Sequence, residues 1–219
     1  MKEELAEVGA VRIRAAIDPE IWFSLIDSLP KGLAGVRLYG LSVLQALLAT
    51  DSVPMKLGSS LLGEAAKPIR AIVFNKTAAN NWPLGWHQDR TIAVAAKHDT
   101  QGYGPWSIKQ GIHHVEPPFA VIESMITMRI HLDTVDNANA PLRVAPGSHK
   151  LGRLPIEQYD TVVNKCGSIN CHADAGDIWL YATPILHASH RAEKPTNRRV
   201  VQVDYAAIEL PLPLVWAGI

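Results

Sequence analysis

The chain has 219 residues, enough for one domain with a sizeable hydrophobic core. Its 21 Lys and Arg residues balance its 21 Asp and Glu residues, so it lacks the net positive charge typical of nucleic-acid and anionic-membrane binding. Hydrophobic residues make up 47% and charged residues 19%, a composition that indicates a folded globular protein without a membrane-spanning segment.

The first quarter of the chain is predicted to be mainly helical. Residues 1–7 are acidic and polar, unlike a secretory signal, so we expect a cytoplasmic protein. A short strand is predicted over 11–14. Asp18 and Pro19 then form a typical helix start, and apolar residues recur at helical spacing up to residue 29. Two more helices are predicted, over 41–49 and 55–66.

From residue 68 the pattern changes to short β segments separated by Gly, Pro, Asn and Asp, without the long helices that a parallel sheet requires. The predicted strands are 70–74, 85–94, 122–132, 142–145, 168–172, 177–181, 185–190 and 199–206. This pattern predicts a mainly β fold, a jelly roll or double-stranded β-helix of the cupin type with the N-terminal helices packed on one face.

A single domain over 1–219 is therefore expected. It comprises a helical flank (1–67), a β-helix core (68–207) and a C-terminal tail (208–219). Residues 96–119 have poor periodicity, and long insertions of this kind are commonly lids or binding loops, so we expect a lid there. The two cysteines, Cys166 and Cys171, are too few for a disulfide framework or a zinc ribbon.

Two His-x-Asp tripeptides are candidate metal-binding segments: His87-Gln88-Asp89 and His131-Leu132-Asp133. Residues i and i+2 of a strand share a face, so either tripeptide can present an imidazole beside a carboxylate. A second His from a distant strand, for which His187 is the natural candidate, would complete a 2-His-1-carboxylate triad for Fe(II) with open coordination positions. Eleven residues later, the guanidinium of Arg198 is placed to bind a carboxylate in the same cavity.

Four segments taken together resemble the phytanoyl-CoA dioxygenase-like family of Fe(II)- and 2-oxoglutarate-dependent oxygenases. They occur in the family's order, over about residues 69 to 206. The segments are 86–89 (Trp-His-Gln-Asp), 140–152 (Ala-Pro-Leu-Arg-Val-Ala-Pro-Gly-Ser-His-Lys-Leu-Gly), 176–180 (Gly-Asp-Ile-Trp-Leu) and 186–189 (Leu-His-Ala-Ser) with Arg198-Arg199.

The resemblance implies that His87, Asp89 and His187 bind iron, and that His131 and Asp133 do not. It further implies that Arg198, assisted by Ser189, binds the far carboxylate of 2-oxoglutarate. Arg199 takes that role if the register shifts by one residue. The implied activity is oxidative decarboxylation of 2-oxoglutarate to succinate and CO2, with O2 as oxidant, coupled to hydroxylation. Because Asp89 is present, halogenation is disfavoured.

The substrate is expected to be a small or medium organic molecule. The residues expected to line its pocket are Trp82, Trp86, Trp106, Tyr103 and His113. His114 is the alternative to its neighbour His113. Lys76 is a candidate contact to the cosubstrate. Arg129 lies in an apolar strand and must either face solvent or bind an anion. Two other hypotheses remain. One is a jelly roll that has lost catalytic activity and only binds a metal or ligand, and the other is a cupin-like metalloenzyme that uses no 2-oxoglutarate.

Overall fold

Two antiparallel β-sheets form the body of the protein, and a cavity opens between them. The computed structural model describes residues 1–30, 32–33 and 35–219. The α-helices are α1 (Lys2–Val8), α2 (Phe23–Asp27), α3 (Ser42–Leu47), α4 (Val53–Leu62), α5 (Phe119–Glu123) and α6 (Tyr159–Cys166). The strands are β1 (Ala10–Ile13), β2 (Gly35–Leu38), β3 (Lys67–Lys76), β4 (Leu84–His87), β5 (Ile92–Val94), β6 (Trp106–Lys109), β7 (Ile112–Val115), β8 (Ile126–His131), β9 (Leu142–Val144), β10 (Ile169–Cys171), β11 (Ile178–Ala182), β12 (His187–Ser189) and β13 (Arg198–Ala206). The mainly β prediction is confirmed.

The large sheet has six strands in the order β1-β11-β8-β13-β3-β2, and the small sheet has four in the order β10-β9-β12-β4. Neighbouring strands are distant in sequence, as in a jelly roll. The register places Arg198 opposite Lys76 and Gln202 opposite Arg129. Because strand residues alternate between faces, these polar side chains share the inner face of the large sheet.

The N-terminal helices cover the outer face of the large sheet, as predicted. Trp22, Leu25 and Leu44 from the helical region join strand residues such as Met128 and Val203 in one buried apolar cluster. The helix starts follow the expected capping chemistry, because the Asp18 carboxylate accepts a hydrogen bond from the Glu20 N–H at 2.9 Å. A 3₁₀ turn (Pro19–Trp22) precedes α2, so the predicted helix over 19–29 is shorter and composite.

The first 67 residues also contribute two strands, of which β1 matches the strand predicted over 11–14 and β2 was not predicted. β1 pairs with β11 and β2 pairs with β3, so both edges of the large sheet come from this flank. Asp177 fastens the first edge, since its carboxylate accepts hydrogen bonds from the Ala15 N–H at 2.8 Å and from Arg12 Nε at 2.6 Å. Strands of four residues carry little periodicity of their own, and their pairing partners decide that they form.

Residues 96–119 are more ordered than the expected lid. β6 and β7 form a hairpin that pairs with β5 in a third sheet. Two further expected strands also differ. The segment 85–94 is interrupted between β4 and β5, and 122–132 begins inside α5. α6 was not predicted. No helix in the described part of the chain is both long and apolar enough to cross a bilayer.

Candidate active site

Three side chains from two separate parts of the small-sheet region converge at one end of the cavity. His87 ends β4 and pairs directly with His187 at the start of β12, with ring centroids 4.1 Å apart. Asp89 follows two residues after His87, in the turn between β4 and β5. One candidate ligand atom from each of the three residues lies within 4.8 Å of the other two. This is the spacing of a three-ligand metal site.

The backbone fixes how both imidazoles present their nitrogens. His87 Nδ1 lies 2.9 Å from the Gly85 carbonyl oxygen, and His187 Nδ1 lies 3.0 Å from the Ile185 carbonyl oxygen. A carbonyl only accepts, so each Nδ1 donates and each Nε2 keeps its lone pair for a metal. Burial, with repulsion from His87, lowers the pKa of His187 to about 3, which keeps its ring neutral at physiological pH.

Gln88, the middle residue of the tripeptide, links the two ligand-bearing segments. Its Nε2 donates to the Pro184 carbonyl at 2.7 Å, and its Oε1 accepts from the Leu154 N–H at 2.9 Å. Ser148 acts on the same strand start, because its hydroxyl accepts from the Leu186 N–H at 2.9 Å. Neither residue was singled out from the sequence. The sequence signal that could have identified them is an uncharged polar side chain within a segment that resembles the family.

The Asp89 carboxylate lies beside a buried ion pair. Its Oδ2 is buried without a hydrogen-bond partner and lies 3.5 Å from Arg70 Nη2, while Arg70 Nε bonds to Asp204. Burial raises the pKa of Asp89, but Arg70, His187 and His87 outweigh it, and the result is a lowered pKa. Asp89 is therefore an anionic oxygen donor with a free lone pair, which fits a divalent cation.

The cavity between the sheets has a volume of about 160 Å³. At the end away from Asp89, the register brings Lys76 and Arg198 side by side, and they are 1% and 4% exposed. Lys76 Nζ donates to Ser189 Oγ at 3.0 Å and to the His190 carbonyl at 2.5 Å. Arg198 donates to the Ala140 carbonyl, while its Nε is buried without a partner.

These two cations face the cavity without a carboxylate within 4.0 Å among the described residues. Burial lowers the pKa of Lys76 to about 7, with added repulsion from Arg198 and Arg129. Burial and Arg129 lower the pKa of Arg198 to about 9, so its guanidinium remains charged at neutral pH. A buried cation without an anionic partner is costly, and a carboxylate-bearing ligand would compensate it.

Arg129, whose environment the sequence left open, lies inside the cavity. It is 6% exposed, and its Nη1 donates to Gln202 Oε1 at 3.0 Å while its guanidinium stacks 5.3 Å from the Phe74 ring. Its Nε has no hydrogen-bond partner. Of the two possibilities, solvent exposure is therefore wrong, and an anion-binding position is consistent with its surroundings. A lone Arg among apolar strand residues was the usable signal.

Four residues expected to touch the substrate do not line this cavity. Trp86 is adjacent to His87 in a strand, so it points to the opposite face and packs beneath Arg143. Tyr103 and Trp106 pack against the apolar cluster formed with the C-terminal segment. His113 faces a separate surface pocket. The apolar wall of the cavity is instead made by Trp82, Leu84, Phe74, Ile72 and Leu142.

The second tripeptide is not a metal site in this structure. His131 is buried, and neither of its nitrogens has a hydrogen-bond partner. Asp133 accepts from Arg199 through Nε at 2.9 Å and Nη2 at 2.6 Å. Arg199 thus lies on the opposite face from Arg198 and is bound to an acid of its own.

Comparison with known proteins follows the geometry. The family model for phytanoyl-CoA dioxygenase (PhyH) matches residues 45–200, which is most of the chain. The chain belongs to the phytanoyl-CoA dioxygenase family. No curated protein matches it at the level of sequence.

Several solved structures share the fold. The non-heme α-ketoglutarate-dependent epimerase SnoN from nogalamycin biosynthesis has 15% identity and a TM-score of 0.66, over 93% of this chain and 80% of its own. Apo EctD from S. alaskensis has 14% identity and a TM-score of 0.68, over 100% and 79%. HygX from Streptomyces hygroscopicus, solved with nickel and 2-oxoglutarate, has 15% identity and a TM-score of 0.64, over 94% and 86%. The predicted double-stranded β-helix class is confirmed.

Proposed function

We propose that this protein is a dioxygenase that hydroxylates a small or medium organic molecule in the cytoplasm. The observation that carries the proposal is the convergence of His87, Asp89 and His187 within 4.8 Å at one end of the cavity. The two buried cations at its other end, Lys76 and Arg198, support it. Family membership agrees with this arrangement.

The cofactors are Fe(II), 2-oxoglutarate and O2, as expected from the sequence. The donor set fits iron, because two imidazoles and one carboxylate with a free buried oxygen match the facial triad of non-haem iron oxygenases. The bound cofactors supply the oxidising power, since O2 is reduced while 2-oxoglutarate is decarboxylated to succinate and CO2. The protein supplies geometry, charge and a dry cavity.

His87, Asp89 and His187 would hold the metal from one side only. The hydrogen bonds from both Nδ1 atoms to backbone carbonyls restrain the rings and leave both Nε2 lone pairs available for the metal. Arg70 lies close enough to Asp89 to hold the carboxylate ionised and oriented. Gln88 joins the two ligand-bearing segments through its bond to the Pro184 carbonyl, and its bond to the Leu154 N–H holds its amide in place.

Arg198, Ser189 and Lys76 would bind the far carboxylate of 2-oxoglutarate. Ser189 Oγ lies 3.4 Å from Arg198 Nη1 and 3.0 Å from Lys76 Nζ, so the three polar groups form one cluster. A guanidinium fork and an ammonium together match the charge and geometry of a carboxylate. The bonds of Arg199 to Asp133 on the other face support Arg198, and not Arg199, in this role.

The apolar wall would receive the substrate. Trp82, Phe74 and Leu84 give the cavity lining its apolar surface. Exclusion of water strengthens the polar interactions inside the site and protects the oxidant from solvent. The outcome at the substrate is proposed to be hydroxylation, although SnoN, on a similar fold, is described as an epimerase. Product identification must therefore accompany any turnover assay.

Anaerobic titration tests this proposal. The apo-protein is titrated with Fe(II) and then with 2-oxoglutarate, and the visible charge-transfer band of a chelated ferrous keto acid is recorded. We expect the band in the wild type. In Arg198→Ala, saturation should require roughly tenfold to hundredfold more 2-oxoglutarate, because a charged hydrogen-bond partner is lost.

Arg199→Ala is the matched control. It removes the neighbouring guanidinium from the outer face, and its 2-oxoglutarate affinity should equal that of the wild type. If iron binds but no band forms, the 2-oxoglutarate proposal is wrong, and a metalloenzyme without a cosubstrate becomes the better explanation. Equal weakening in both variants would contradict the role assigned to Arg198.

A further inference from the structure

The cavity carries more positive charge than its cofactors require. Its lining contains one carboxylate, Asp89, and six basic side chains: Arg37, Arg70, Lys76, Lys109, Arg129 and Arg198. The charges of Fe(II) and 2-oxoglutarate cancel each other. Arg70 is already paired with Asp204 and Asp89, so five basic groups still lack a carboxylate partner within the described residues.

These unpaired groups fall into two sets. Lys76, Arg129 and Arg198 form the first set, at the cosubstrate end, where burial and then repulsion from Arg198 and Arg129 lower the pKa of Lys76, and burial and then Arg129 lower that of Arg198. Arg37 and Lys109 form a second set beside Arg70, at the end of the cavity where Asp89 lies. After burial, repulsion from Arg70 and Arg37 lowers the pKa of Lys109, and burial followed by repulsion from Arg70 lowers that of Arg37. The far carboxylate of 2-oxoglutarate can satisfy the first set but not the second.

The polar groups of Arg37 and Lys109 are incompletely satisfied. Arg37 Nε is buried without a hydrogen-bond partner, and Lys109 Nζ has one weak bond, to Thr91 Oγ1 at 3.3 Å. No carboxylate of the described residues lies within 4.0 Å of either side chain, whereas Arg12, Arg153 and Arg199 all have one. Two half-buried cations held together in this way cost folding free energy that a bound anion would recover.

Gln110 holds this pair in place. Its Oε1 accepts from the Arg37 N–H at 2.8 Å, and its Nε2 donates to the Gly35 carbonyl at 2.9 Å. The Gln110 side chain, in the turn between β6 and β7, thus forms hydrogen bonds with the free edge of β2 as the backbone of a neighbouring strand would. Gln110 itself adopts φ +51°, an uncommon conformation for a residue with a side chain. The fold therefore holds Lys109, which precedes Gln110 in the chain, beside the strand that carries Arg37, and both side chains line the cavity.

We propose that Arg37 and Lys109 bind an anionic group, a carboxylate or a phosphate, on the primary substrate. This inference rests on the proposed function and adds the chemical class of its substrate. The anion would sit beside Arg70, at the end of the cavity that also holds the metal ligand Asp89. His114 lies beneath the pair and adds no charge, because burial lowers its pKa to about 4.

The first test measures anion binding directly on protein loaded with Ni(II) and saturated with 2-oxoglutarate. Isothermal titration with inorganic phosphate and, separately, with acetate shows which anion the site accepts. We expect binding of at least one of them, weakened about tenfold or more in Arg37→Gln and in Lys109→Gln. Arg37→Lys and Lys109→Arg keep the charge and should retain most of the affinity.

Lys56→Gln is the matched control, because it removes one charge from an exposed position on α4. Its anion affinity should equal that of the wild type. The inference is overturned if neither anion binds, or if Arg37→Gln binds them as tightly as Lys56→Gln does. It is also overturned if Arg37→Gln weakens 2-oxoglutarate binding as much as anion binding, since the pair would then serve the cosubstrate.

The second test identifies the substrate class by turnover. Organic acids are compared with their primary amides, and phosphate monoesters with the parent alcohols, by substrate-dependent succinate formation in the iron-loaded enzyme. We expect the charged member of a pair to be turned over with a KM about tenfold or more lower. Preference for the neutral members would overturn the inference. A failure of the proposed function itself is distinguishable, because the ferrous keto-acid band would then be absent before any substrate is added.

Discussion

The two His-x-Asp tripeptides share a spacing but not their surroundings. His87 and Asp89 lie at the end of a small-sheet strand, where His187 pairs directly opposite and all three donors are free. His131 ends β8 on the large sheet, where its cross-strand partner is Val200. Asp133 turns away and is bound by Arg199. Spacing alone therefore supplies an imidazole and a carboxylate, and the strand opposite decides whether they can bind a metal.

The middle residue reinforces the difference. Gln88 is buried and uses its amide to fasten the chain that leads to His187, whereas Leu132 is a core residue of the large apolar cluster. The first tripeptide is thus part of a polar scaffold with open lone pairs. In the second, Leu132 packs between sheet and helices, while His131 is buried on the inner face of the large sheet near Arg129. The following predictions test this contrast in order of expected effect.

Loss of the metal is the largest expected effect. His87→Ala should lower Fe(II) affinity by more than about a hundredfold and abolish the ferrous keto-acid band, because a direct ligand matters more than a supporting contact. His131→Ala should bind iron as the wild type does. Anaerobic competition with a chelator measures both affinities. If His131→Ala loses iron and His87→Ala retains it, the assignment of the tripeptides is reversed.

Asp133→Ala should destabilise the fold without affecting the metal. Arg199 donates to this carboxylate from its backbone N–H at 2.7 Å as well as from its side chain, so we expect a loss of about 1.5–3 kcal/mol in the free energy of unfolding. Urea unfolding provides the measurement. Asp174→Ala removes an exposed contact to Arg12 and should cost less, about 0.2–1 kcal/mol. Equal costs would argue against a structural role specific to Asp133.

His131 should make the protein sensitive to acid. Burial, followed by repulsion from Arg129, lowers its pKa well below 6.5. The unfolded chain therefore binds a proton that the folded protein excludes, so this contribution is full above about pH 6.5 and is lost as the pH falls, by about 1.4 kcal/mol per unit. His131→Leu should lessen the decline seen in urea unfolding between neutral pH and pH 5. An unchanged decline would show that other groups control it.

Lys76 should give 2-oxoglutarate binding a mild pH dependence. The pKa of Lys76 is about 7, so its ammonium group loses its proton as the pH rises through neutrality. Arg199 on the outer face differs, because it is paired with the carboxylate of Asp133. Only the charged form attracts a carboxylate, so the dissociation constant should rise severalfold between about pH 6.5 and 8.5. Lys76→Met should bind more weakly at the lower pH and show a flat profile. A flat profile in the wild type would contradict the prediction.

The same contrast explains why part of the site was predictable. The family-like segments indicated His87, Asp89, His187 and Arg198, and the structure brings the first three together. Cap residues and helical spacing indicated helices in the flank. These are local signals, since each depends on residues a few positions apart in the chain.

The rest depends on pairing between distant segments. β2 forms a strand because it can pair with the edge of β3. Lys109 reaches the cavity because the neighbouring Gln110 is hydrogen-bonded to β2. Trp86, Tyr103, Trp106 and His113 were placed at the substrate by their chemistry. Strand alternation turned Trp86 away from the cavity, and hairpin packing did the same for the other three.

The sequence by itself determined the β-rich fold class, the candidate ligand types and the family to which the chain belongs. The tertiary structure decided which histidines meet, which of two adjacent arginines faces inward, and which cations surround the cavity. The physical reason is that a strand carries two faces with a period of two residues. Only its register against partners far away in the chain determines which face lines the cavity.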